Sequence, residues 1–447
     1  MNLLGFTMMA AVIACVLFGR KQVALMALMA GYLYITQNQG FDVFGFNLFA
    51  YRFIEVAGVV RIFAKKEFSF SQSTKIDWAL LVLFSFTTVV FVIRSKDGFG
   101  YLIGTSIDFY LTYIIFRALI TGIDDFKSFL KGFAVVMMPL ALMLLMERRS
   151  GNDPFVGLEN LVPTLMDRAG HPRCQGSFRH PSLLGTLGAC FFPLYIALGL
   201  DKGERLWGII GGLVCMEIVW TSKSGGPMSC LVVGFLCWGA WPFRKKLRLI
   251  RWGMVAALVI LALTMKSPVW YVLARVSKFT GGDGWHRSYL LDIAFQNLDK
   301  WWLAGMPVLD TAGWFPYEAV ATGGADITNE FLFFGLSAGL GAVVLFIRVL
   351  VIAFKMVGSA LKRLEDQPTN EKYMVWALGA VLVVHISNWF GITYFDQTYA
   401  IFMLQFAALV NLSLSALAVP EESSDEVVAD EFEPALDGGA PFASGSL

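Results

Sequence analysis

The sequence predicts an all-α fold: a polytopic transmembrane helical bundle of 12–13 spans with two long extracytoplasmic loops, the second forming a small helical cap. Hydrophobic residues make up 57% of the 447-residue chain and charged residues only 15%, whereas a soluble domain is about one quarter charged. Apolar runs of about 20 residues recur along the chain, and each is long enough to cross roughly 30 Å of hydrocarbon. Lys and Arg are concentrated in alternate connecting segments, as in proteins that cross a membrane repeatedly.

The apolar runs predict thirteen spans. The third run contains Arg52 and Glu55, which are three residues apart, so both would share one helix face and pair inside the bundle. The number of spans falls to 12 if the first or the third run does not cross. The runs lie near residues 3–19, 22–37, 43–63, 76–93, 101–121, 129–147, 182–200, 205–221, 227–243, 252–267, 330–354, 373–391 and 397–418.

The distribution of Lys and Arg orients the bundle. With the N-terminus outside, the predicted cytoplasmic segments hold 20 Lys and Arg residues, and the short outer loops hold only Arg94, Lys96 and Lys223. The opposite orientation would place the basic run at 244–251 outside, against the positive-inside rule. The two long loops are therefore expected to face away from the cytoplasm.

These two loops, at about 148–181 and about 268–329, are far longer than ordinary connections, which is typical of functional or disordered segments. The second loop is rich in Trp, which argues against disorder, and it is expected to form a small helical cap with an amphipathic stretch near 286–300. Residues 1–418 would form the membrane domain. Residues 419–447 are acidic and then rich in Gly and Ser, as in a disordered cytoplasmic tail.

The first long loop ends in a dense group of polar side chains. Arg173, Arg179 and His180 fall within eight residues, and Pro181 follows as a helix-start signal. Guanidinium groups bind phosphate oxygens bidentately and stay charged at any relevant pH. An anion here would also meet free backbone N–H groups at the helix N-terminus. The stretch predicts a site for a lipid-linked phosphate or pyrophosphate; the alternative is anchoring at the membrane interface by Arg179 and His180.

The end of the second long loop, residues 326–330, carries another group of candidates. Asp326 or Thr328 could be the N-cap of the following helix, with Asn329 and Glu330 favourable in its first turn. Alternatively, Glu330 or Asp326 serves as a base or orients an acceptor hydroxyl. In the tight outer turn 221–227, Lys223 either faces the same site or caps a helix end.

Several classes of function lack support in the sequence. The net charge of +1 gives no reason to expect a nucleic-acid partner. No D-x-D, P-loop, H-E-x-x-H or G-x-S-x-G pattern occurs, and the six cysteines have no metal-ligand spacing. Inside a predicted span, His385 with Asn388 nearby is typical of a hydrogen-bonding pair between helices, with a proton relay as the alternative.

Three local patterns resemble the O-antigen ligase and polymerase superfamily, bacterial GT-C-type membrane proteins that act on undecaprenyl-pyrophosphate-linked glycans. The pattern R-x-x-G-S-F-x-H-P at 173–181 is similar to the family's R-x-x-G-(S/T)-F-x-x-P. Arg287 is similar to the arginine that opens the helix of the family's second loop. The pattern N-E-F-L at 329–332 is similar to the family's H-N-x-(Y/F)-L. Together the three cover roughly residues 170–350.

The resemblance implies metal-independent glycosyl transfer with inversion, without a cofactor, at the periplasmic face of the bacterial inner membrane. Arg173 and Arg287 would hold the donor pyrophosphate and stabilise it as the leaving group. Arg179 is a further candidate, and Lys223 stands beside a turn that reads S-G-G where the family often has S-R-G. The implied partners are an undecaprenyl-pyrophosphate-linked glycan donor, a glycan or lipid acceptor, and membrane lipids.

The resemblance leaves the base open. The family's proposed histidine base falls at Thr328, so Glu330, Asp326 or His180 would have to substitute. Thr328 and Asn329 are then expected to orient the acceptor. Polymerase and ligase differ only in their acceptor, and the absent histidine favours a polymerase.

Two other classes of function remain as alternatives. A transporter of lipid-linked or small solutes would keep its polar residues near mid-membrane, and the polar residues that would support it are Arg52, Glu55, Asp108, Glu217 and His385. A scaffold subunit of a secretion complex predicts that the loop arginines tolerate substitution.

Overall fold

The protein is a bundle of helices whose positions follow the apolar runs. The computed structural model describes residues 1–43, 46–94, 99–159, 165–166, 170–275, 284–316, 323–365, 367 and 370–418. The acidic segment 419–447 lies outside the described residues. The α-helices are α1 (Leu3–Phe18), α2 (Lys21–Tyr34), α3 (Ala50–Ala64), α4 (Lys75–Arg94), α5 (Phe99–Leu119), α6 (Ile123–Ser150), α7 (Pro181–Leu200), α8 (Arg205–Ser222), α9 (Gly225–Gly239), α10 (Leu247–Thr264), α11 (Gly284–Gln296), α12 (Leu298–Trp301), α13 (Glu330–Leu364), α14 (Glu371–Trp389) and α15 (Gln397–Ala418).

Each of the thirteen predicted runs overlaps one of these helices, so the prediction of an all-α membrane bundle is confirmed. Among the described residues, six helical segments are individually long and apolar enough to cross a membrane. The total of 12–13 crossings stays a prediction, because several of the other helices are shorter than a full span. The six segments are Lys75–Arg94, Ile123–Ser150, Pro181–Leu200, Trp241–Thr264, Glu330–Leu364 and Gln397–Ala418.

The core of the bundle is built around α7 and α15. In each of them 83% of the apolar window is buried, whereas none of the window that includes α10 is buried. Helix α7 lies against α8, α9 and α14. Small residues permit this close approach: a Cβ on Gly188 would lie 2.4 Å from the backbone oxygen of Cys215, and a Cβ on Gly208 would lie 2.4 Å from the Cα of Gly199.

The third predicted run is partly wrong. Only its second half is helical, because Gly40–Val43 (β1) and Phe46–Phe49 (β2) pair as an antiparallel hairpin before α3 begins. Aromatic residues favour strands, and the glycines lower the helix propensity of this segment. The expected pairing of Arg52 with Glu55 is also wrong. Arg52 pairs with Asp108 at 3.0 Å, and Glu55 accepts hydrogen bonds from the hydroxyls of Tyr32 and Thr112.

The second long loop forms the predicted helical cap. Helices α11 and α12 enclose a small apolar core separate from that of the bundle. Two residues of the membrane helix α13, Leu332 and Leu336, complete this core, so the cap is joined to the bundle through apolar contacts. The cap residues in the core are Leu290, Ala294, Trp301, Met306, Trp314, Phe315 and Ala325.

Helix α13 is interrupted where the cap meets it. Ala338 and Gly339 leave helical geometry, and Gly339 has a φ of 78°, which favours glycine. The cap binds the freed backbone groups: the Leu340 N–H donates to the Trp302 carbonyl at 2.7 Å, and the Met306 N–H donates to the Leu336 carbonyl at 2.9 Å. The apolar run at 330–354 predicted a continuous helix. The helix is interrupted instead, and the interruption persists because the cap satisfies the freed backbone groups.

Candidate functional site

The motif at 173–181 forms a buried loop with charged ends. Its middle, Cys174 to Phe178, is buried, while Arg173 is half-buried and Arg179 is exposed. The carboxylate of Glu147 accepts the backbone N–H groups of Gln175 and Gly176 at 3.1 and 3.2 Å. Gly176 has a φ of 54°, which glycine adopts without strain. The Gly-Ser-Phe segment is therefore the part of the motif that packs, and the arginines and His180 are the part that faces outward.

Hydrogen bonds to four helices of the bundle hold this loop in place. Besides Glu147 of α6, the Ser177 hydroxyl donates to the Leu33 carbonyl of α2 at 2.5 Å. The Cys174 N–H donates to the Thr221 carbonyl of α8 at 3.1 Å. The Gln397 side chain of α15 donates to the Ser177 carbonyl at 3.0 Å. Burial raises the pKa of the Cys174 thiol to about 12, so this cysteine is an unreactive packing residue.

His180 is the N-cap of α7. Its Nδ1 accepts the Ser182 N–H at 3.1 Å. Burial, with the nearby Arg173 and Arg287 cations, lowers the pKa of His180 to about 4. The imidazole is therefore neutral near pH 7, and because Nδ1 is an acceptor, the proton resides on Nε2. Such a histidine donates a hydrogen bond through Nε2 and is poorly suited to removing a proton.

The expectation of free N–H groups at the start of α7 is wrong. Pro181 has no N–H. The Ser182 N–H donates to the His180 side chain, and the N–H groups of Leu183 and Leu184 donate to the His180 carbonyl. Any anion bound here would be held by side chains.

The cap supplies the opposite wall of the site. His286 and Arg287 lie near the start of α11, and His286 stacks on Phe315 with 4.3 Å between ring centroids. The ring nitrogen Nε2 of His286 is 3.3 Å from the backbone oxygen of Asp326. This contact joins the beginning of the cap to its end. Arg287, like Arg173, lies close enough to His180 to lower the pKa of its imidazole. The positive potential of both arginines therefore reaches His180.

The segment 326–330 divides into exposed and buried parts. Asn329, and neither Asp326 nor Thr328, is the N-cap of α13, because its Oδ1 accepts the Leu332 N–H at 3.0 Å. Glu330 is 0% exposed, and its Oε2 accepts the Tyr394 N–H at 2.8 Å. Asp326 is exposed, and partial desolvation raises the pKa of its carboxyl, an effect that His286 opposes.

The loop between α14 and α15, residues 390–396, is a part of the site that the sequence analysis missed. Asp396 pairs with Arg179 at 2.9 Å between Oδ2 and Nε. Burial raises the pKa of Asp396 to about 6, although Arg179 opposes the shift. Asp396 has a φ of 54°, an uncommon conformation for a residue other than glycine. An acidic residue with a glycine in a short loop between two apolar runs was the signal in the sequence.

These segments enclose one cleft of about 440 Å³. The first loop, both ends of the cap and the 390–396 loop all contribute to its lining. It has the size of a small-molecule site, and its lining carries a cation on each of two walls and one carboxylate, that of Asp326. The lining residues are Arg179, His180, Ser182, His286, Arg287, Asp326, Ile327, Thr328, Gly391, Ile392, Thr393 and Phe395.

Four predicted site residues do not line the cleft. Lys223 is the C-cap of α8 in the left-handed conformation, with its ammonium 5.7 Å from the Trp220 ring centroid, as expected of a helix-ending residue. Asn329 and Glu330 are buried behind the lining. Arg173 lies near His180 without reaching the lining. Arg179, His180, Arg287, Asp326 and Thr328 do share the cleft.

A scan of the chain against protein-family models finds no match, and a search of curated proteins finds no significant match. In the described residues, no group of three or more His, Cys, Asp or Glu side chains is arranged to hold a metal ion.

Proposed function

We propose that the protein is a glycosyltransferase that acts on a polyprenyl-diphosphate-linked glycan at the extracytoplasmic surface of a bacterial inner membrane, as a polysaccharide polymerase or an O-antigen-type ligase. One observation carries the proposal: Arg179 and Arg287, which are 108 positions apart in the sequence, line the same cleft together with Asp326. The resemblance to the O-antigen ligase and polymerase superfamily, on the same arginine-bearing segments, supports it.

In this reaction the cations would stabilise the leaving diphosphate, and the carboxylate would remove the proton of the acceptor. The acceptor hydroxyl attacks the anomeric carbon of the donor sugar, a new C–O bond forms with inversion, and the bond between that carbon and the diphosphate oxygen breaks. The diphosphate leaves with the bonding electron pair. Arg287 and Arg179 stabilise its charge, with His180 donating through Nε2, and Arg173 adds positive potential from behind.

Asp326 is the best-placed base for this reaction. It is exposed in the cleft, and the raised pKa of its carboxyl makes it a better proton acceptor than an ordinary aspartate. It takes the proton of the acceptor hydroxyl, and the neighbouring Thr328, also in the lining, orients that hydroxyl. Glu330 is too deeply buried for this role, and His180 carries its proton on the wrong nitrogen.

The interruption of α13 is the observation that favours a transporter, since discontinuous helices are typical of transporters. In those proteins the freed backbone groups face a substrate cavity. Here the Leu340 N–H and the Leu336 carbonyl are bonded to the cap, so they are occupied. The interruption is better explained as an attachment point for the cap.

The proposal is tested by replacing Arg287 and following glycan chain formation in cells with confirmed expression. Arg287→Ala is expected to lower the rate by about 100-fold, the usual cost of losing a donor to developing negative charge. Arg275→Cys provides a matched control, because Arg275 belongs to the same loop, is exposed and does not line the cleft. Unchanged product with Arg287→Ala would refute the proposal.

The same control variant tests the orientation. A membrane-impermeant thiol reagent is expected to label Arg275→Cys from outside and to leave Lys246→Cys protected in intact cells. The reverse labelling would place the cleft on the cytoplasmic side and would contradict the proposed substrate.

A further inference from the structure

The 390–396 loop forms one side of the cleft and is anchored at several points. The Thr393 hydroxyl donates to the Ile327 carbonyl at 2.6 Å, which joins the loop to the end of the cap. The Tyr394 N–H donates to Glu330 at 2.8 Å, which joins it to α13. Asp396 pairs with Arg179 of the first long loop. The loop therefore joins the first long loop, the end of the cap and the start of α13.

The Tyr394 side chain extends this anchoring into the bundle. Its hydroxyl is 2.9 Å from Nδ1 of His385 and accepts from the Asn388 amide at 3.1 Å. Nε2 of His385 is 2.7 Å from Oε1 of Gln405. His385 and Asn388 thus meet through Tyr394, and both nitrogens of His385 have partners. This network fixes the loop from below.

The guanidinium of Arg287 rests on the backbone of this loop. A Cβ on Gly391 would lie 3.0 Å from both Cζ and Nε of Arg287 and 3.3 Å from Nη1. Those distances are shorter than nearly all real contacts of a Cβ atom. Because Gly391 has no side chain, the guanidinium can lie against the main chain at the edge of the cleft.

Gly226 lies near Arg287 as well, but less closely. A Cβ there would be 3.7 Å from Nη2 of Arg287 and 3.5 Å from Oδ1 of Asn388, which are ordinary van der Waals distances. Gly226 does not line the cleft. The two glycines therefore form a matched pair: a methyl group at position 391 requires the Arg287 guanidinium to move by a few tenths of an ångström, and a methyl group at position 226 does not.

We infer that residues 390–396 position Arg287. The guanidinium lies against the main chain at Gly391, and the hydrogen bond from the Tyr394 N–H to Glu330 fixes the position of that main chain. Glu330 is then a positioning residue and not a base. Its buried carboxylate acts as a hydrogen-bond acceptor for one backbone N–H. The binding and activity tests below rest on the proposed function; the histidine titration does not.

The first test measures binding of farnesyl diphosphate, a short polyprenyl diphosphate, to the detergent-purified full chain. Gly391→Ala is expected to weaken binding about tenfold, because one charge-assisted contact is misplaced, and Gly226→Ala should leave it unchanged. The double variant Arg287→Ala/Gly391→Ala should bind no more weakly than Arg287→Ala alone, since the two changes remove one interaction. Additive losses, or equal effects of the two glycine variants, would overturn the inference.

The second test separates a base from an anchor at Glu330. An amide oxygen accepts the Tyr394 N–H as a carboxylate does, so Glu330→Gln should retain most of the activity, whereas Glu330→Leu should lose at least tenfold through the loss of this hydrogen bond. A base cannot be replaced by an amide. Loss of activity in Glu330→Gln at normal expression and melting temperature would contradict the positioning role.

The third test requires no ligand. The chain has only four histidines, so ¹³C-labelled histidine NMR can follow His180, which is assigned by its loss in His180→Asn. Burial and the cations of Arg173 and Arg287 lower its pKa, and its neighbour Ser182 donates to Nδ1. Displacing Arg287 should raise that pKa in Gly391→Ala and not in Gly226→Ala.

The outcomes of these tests are distinguishable. If the wild type does not bind farnesyl diphosphate while Gly391→Ala raises the pKa of His180, the proposed function fails and the positioning role stands. If the pKa of His180 is the same in Gly391→Ala, Gly226→Ala and wild type, the positioning role fails. Should Gly391→Ala not fold, Thr393→Val serves in its place: it removes the bond to Ile327 and should shift the pKa of His180 in the same direction.

Discussion

The two walls of the cleft differ in how they are held. The first-loop wall, residues 173–182, is buried at its centre and bonded to helices α2, α6, α8 and α15. The cap wall, residues 286–287 and 326–328, belongs to a layer with its own small core. Among the described residues, that layer is bonded to the bundle through the interruption of α13 and through Thr393.

This difference separates the two tasks that a transferase would perform. A leaving group needs donors whose geometry does not change during the reaction, and the first-loop wall provides such a fixed framework. An acceptor that varies in structure is better met by a separately packed layer, and the candidate base Asp326 is on that layer. Arg287 combines both properties, since it is part of the cap and rests on Gly391 of the bundle.

The largest effect is expected at Asp326, and it tests whether the cap wall acts on the acceptor. Asp326→Asn keeps the shape of the side chain and removes the base, so the rate of glycan formation should fall by about 100-fold or more. Donor binding, which depends on Arg179 and Arg287, should remain within about twofold, because no cation is removed. Kinetics and farnesyl diphosphate binding on the same preparation check this. A variant that lost binding and rate equally would show that Asp326 does not act on the acceptor alone.

The pH dependence of the wild-type rate also tests the assignment of Asp326 as the base. Asp326 acts as a base only when ionised, and its pKa is raised by desolvation. The rate should therefore rise with pH as the carboxyl loses its proton, and this limb of the profile should disappear in Asp326→Asn. A limb that persists in the variant would assign the titration to another group.

A smaller effect is expected at Arg179, on the first-loop wall. Its guanidinium already pairs with Asp396, so a diphosphate must compete with a carboxylate, and Arg179→Ala should weaken farnesyl diphosphate binding by about tenfold. The change also leaves Asp396 without its cation in a largely desolvated position. Arg179→Ala/Asp396→Asn should therefore melt at a higher temperature than Arg179→Ala, while binding stays weak.

The attachment of the cap is tested at Gly339. Its φ of 78° disfavours any side chain, and a Cβ would lie 2.4 Å from the Leu303 carbonyl, so Gly339→Ala should destabilise the protein by about 2 kcal/mol or more. Gly358→Ala, in the same helix with open space around it, is the control and should be neutral or slightly stabilising. Melting temperature and proteolysis of the cap are the measurements. Equal stability of the two variants would mean that the cap does not depend on this interruption.

The smallest effect is the acid sensitivity contributed by His180. Its folded pKa is near 4 and the ordinary value is 6.5, so the unfolded chain binds the proton more strongly. The contribution to stability is fully present above about pH 6.5 and is lost as the pH falls toward 4. His180→Asn retains an N-cap acceptor and should show a shallower decline of melting temperature over that interval.

Much of the fold follows from the sequence because apolar length and cation asymmetry act locally. The apolar character of the thirteen runs depends on nothing outside themselves, and each run overlaps a helix. The start of α7 was predicted by Pro181 for the same reason. The hairpin before α3 was not predicted, although its two strands are neighbours in the chain, because its apolar residues continue the run of α3. The interruption of α13 was not predicted because it depends on partners distant in the chain, Trp302 and Leu303.

The candidate site was predictable only in part. The chemistry of a guanidinium or an imidazole can be read from its residue type, which is why Arg179, His180 and Arg287 were identified. The role of Glu330 depends on the backbone of Tyr394, 64 positions later, and no local pattern records that contact. The protonated nitrogen of His180 likewise depends on a hydrogen bond that only the folded chain displays.

The exposure of helix α10 predicts how the chain tolerates substitutions in that helix. None of its residues is buried, and it lies mainly against the short turns at its own ends. Within the described chain, its apolar side chains are not packed in the core of the bundle. The order of these residues along the helix should therefore matter little, provided that their mean hydropathy is preserved. A scrambled segment 253–263 should support normal expression, whereas one exchange within the glycine contacts of α7 should not.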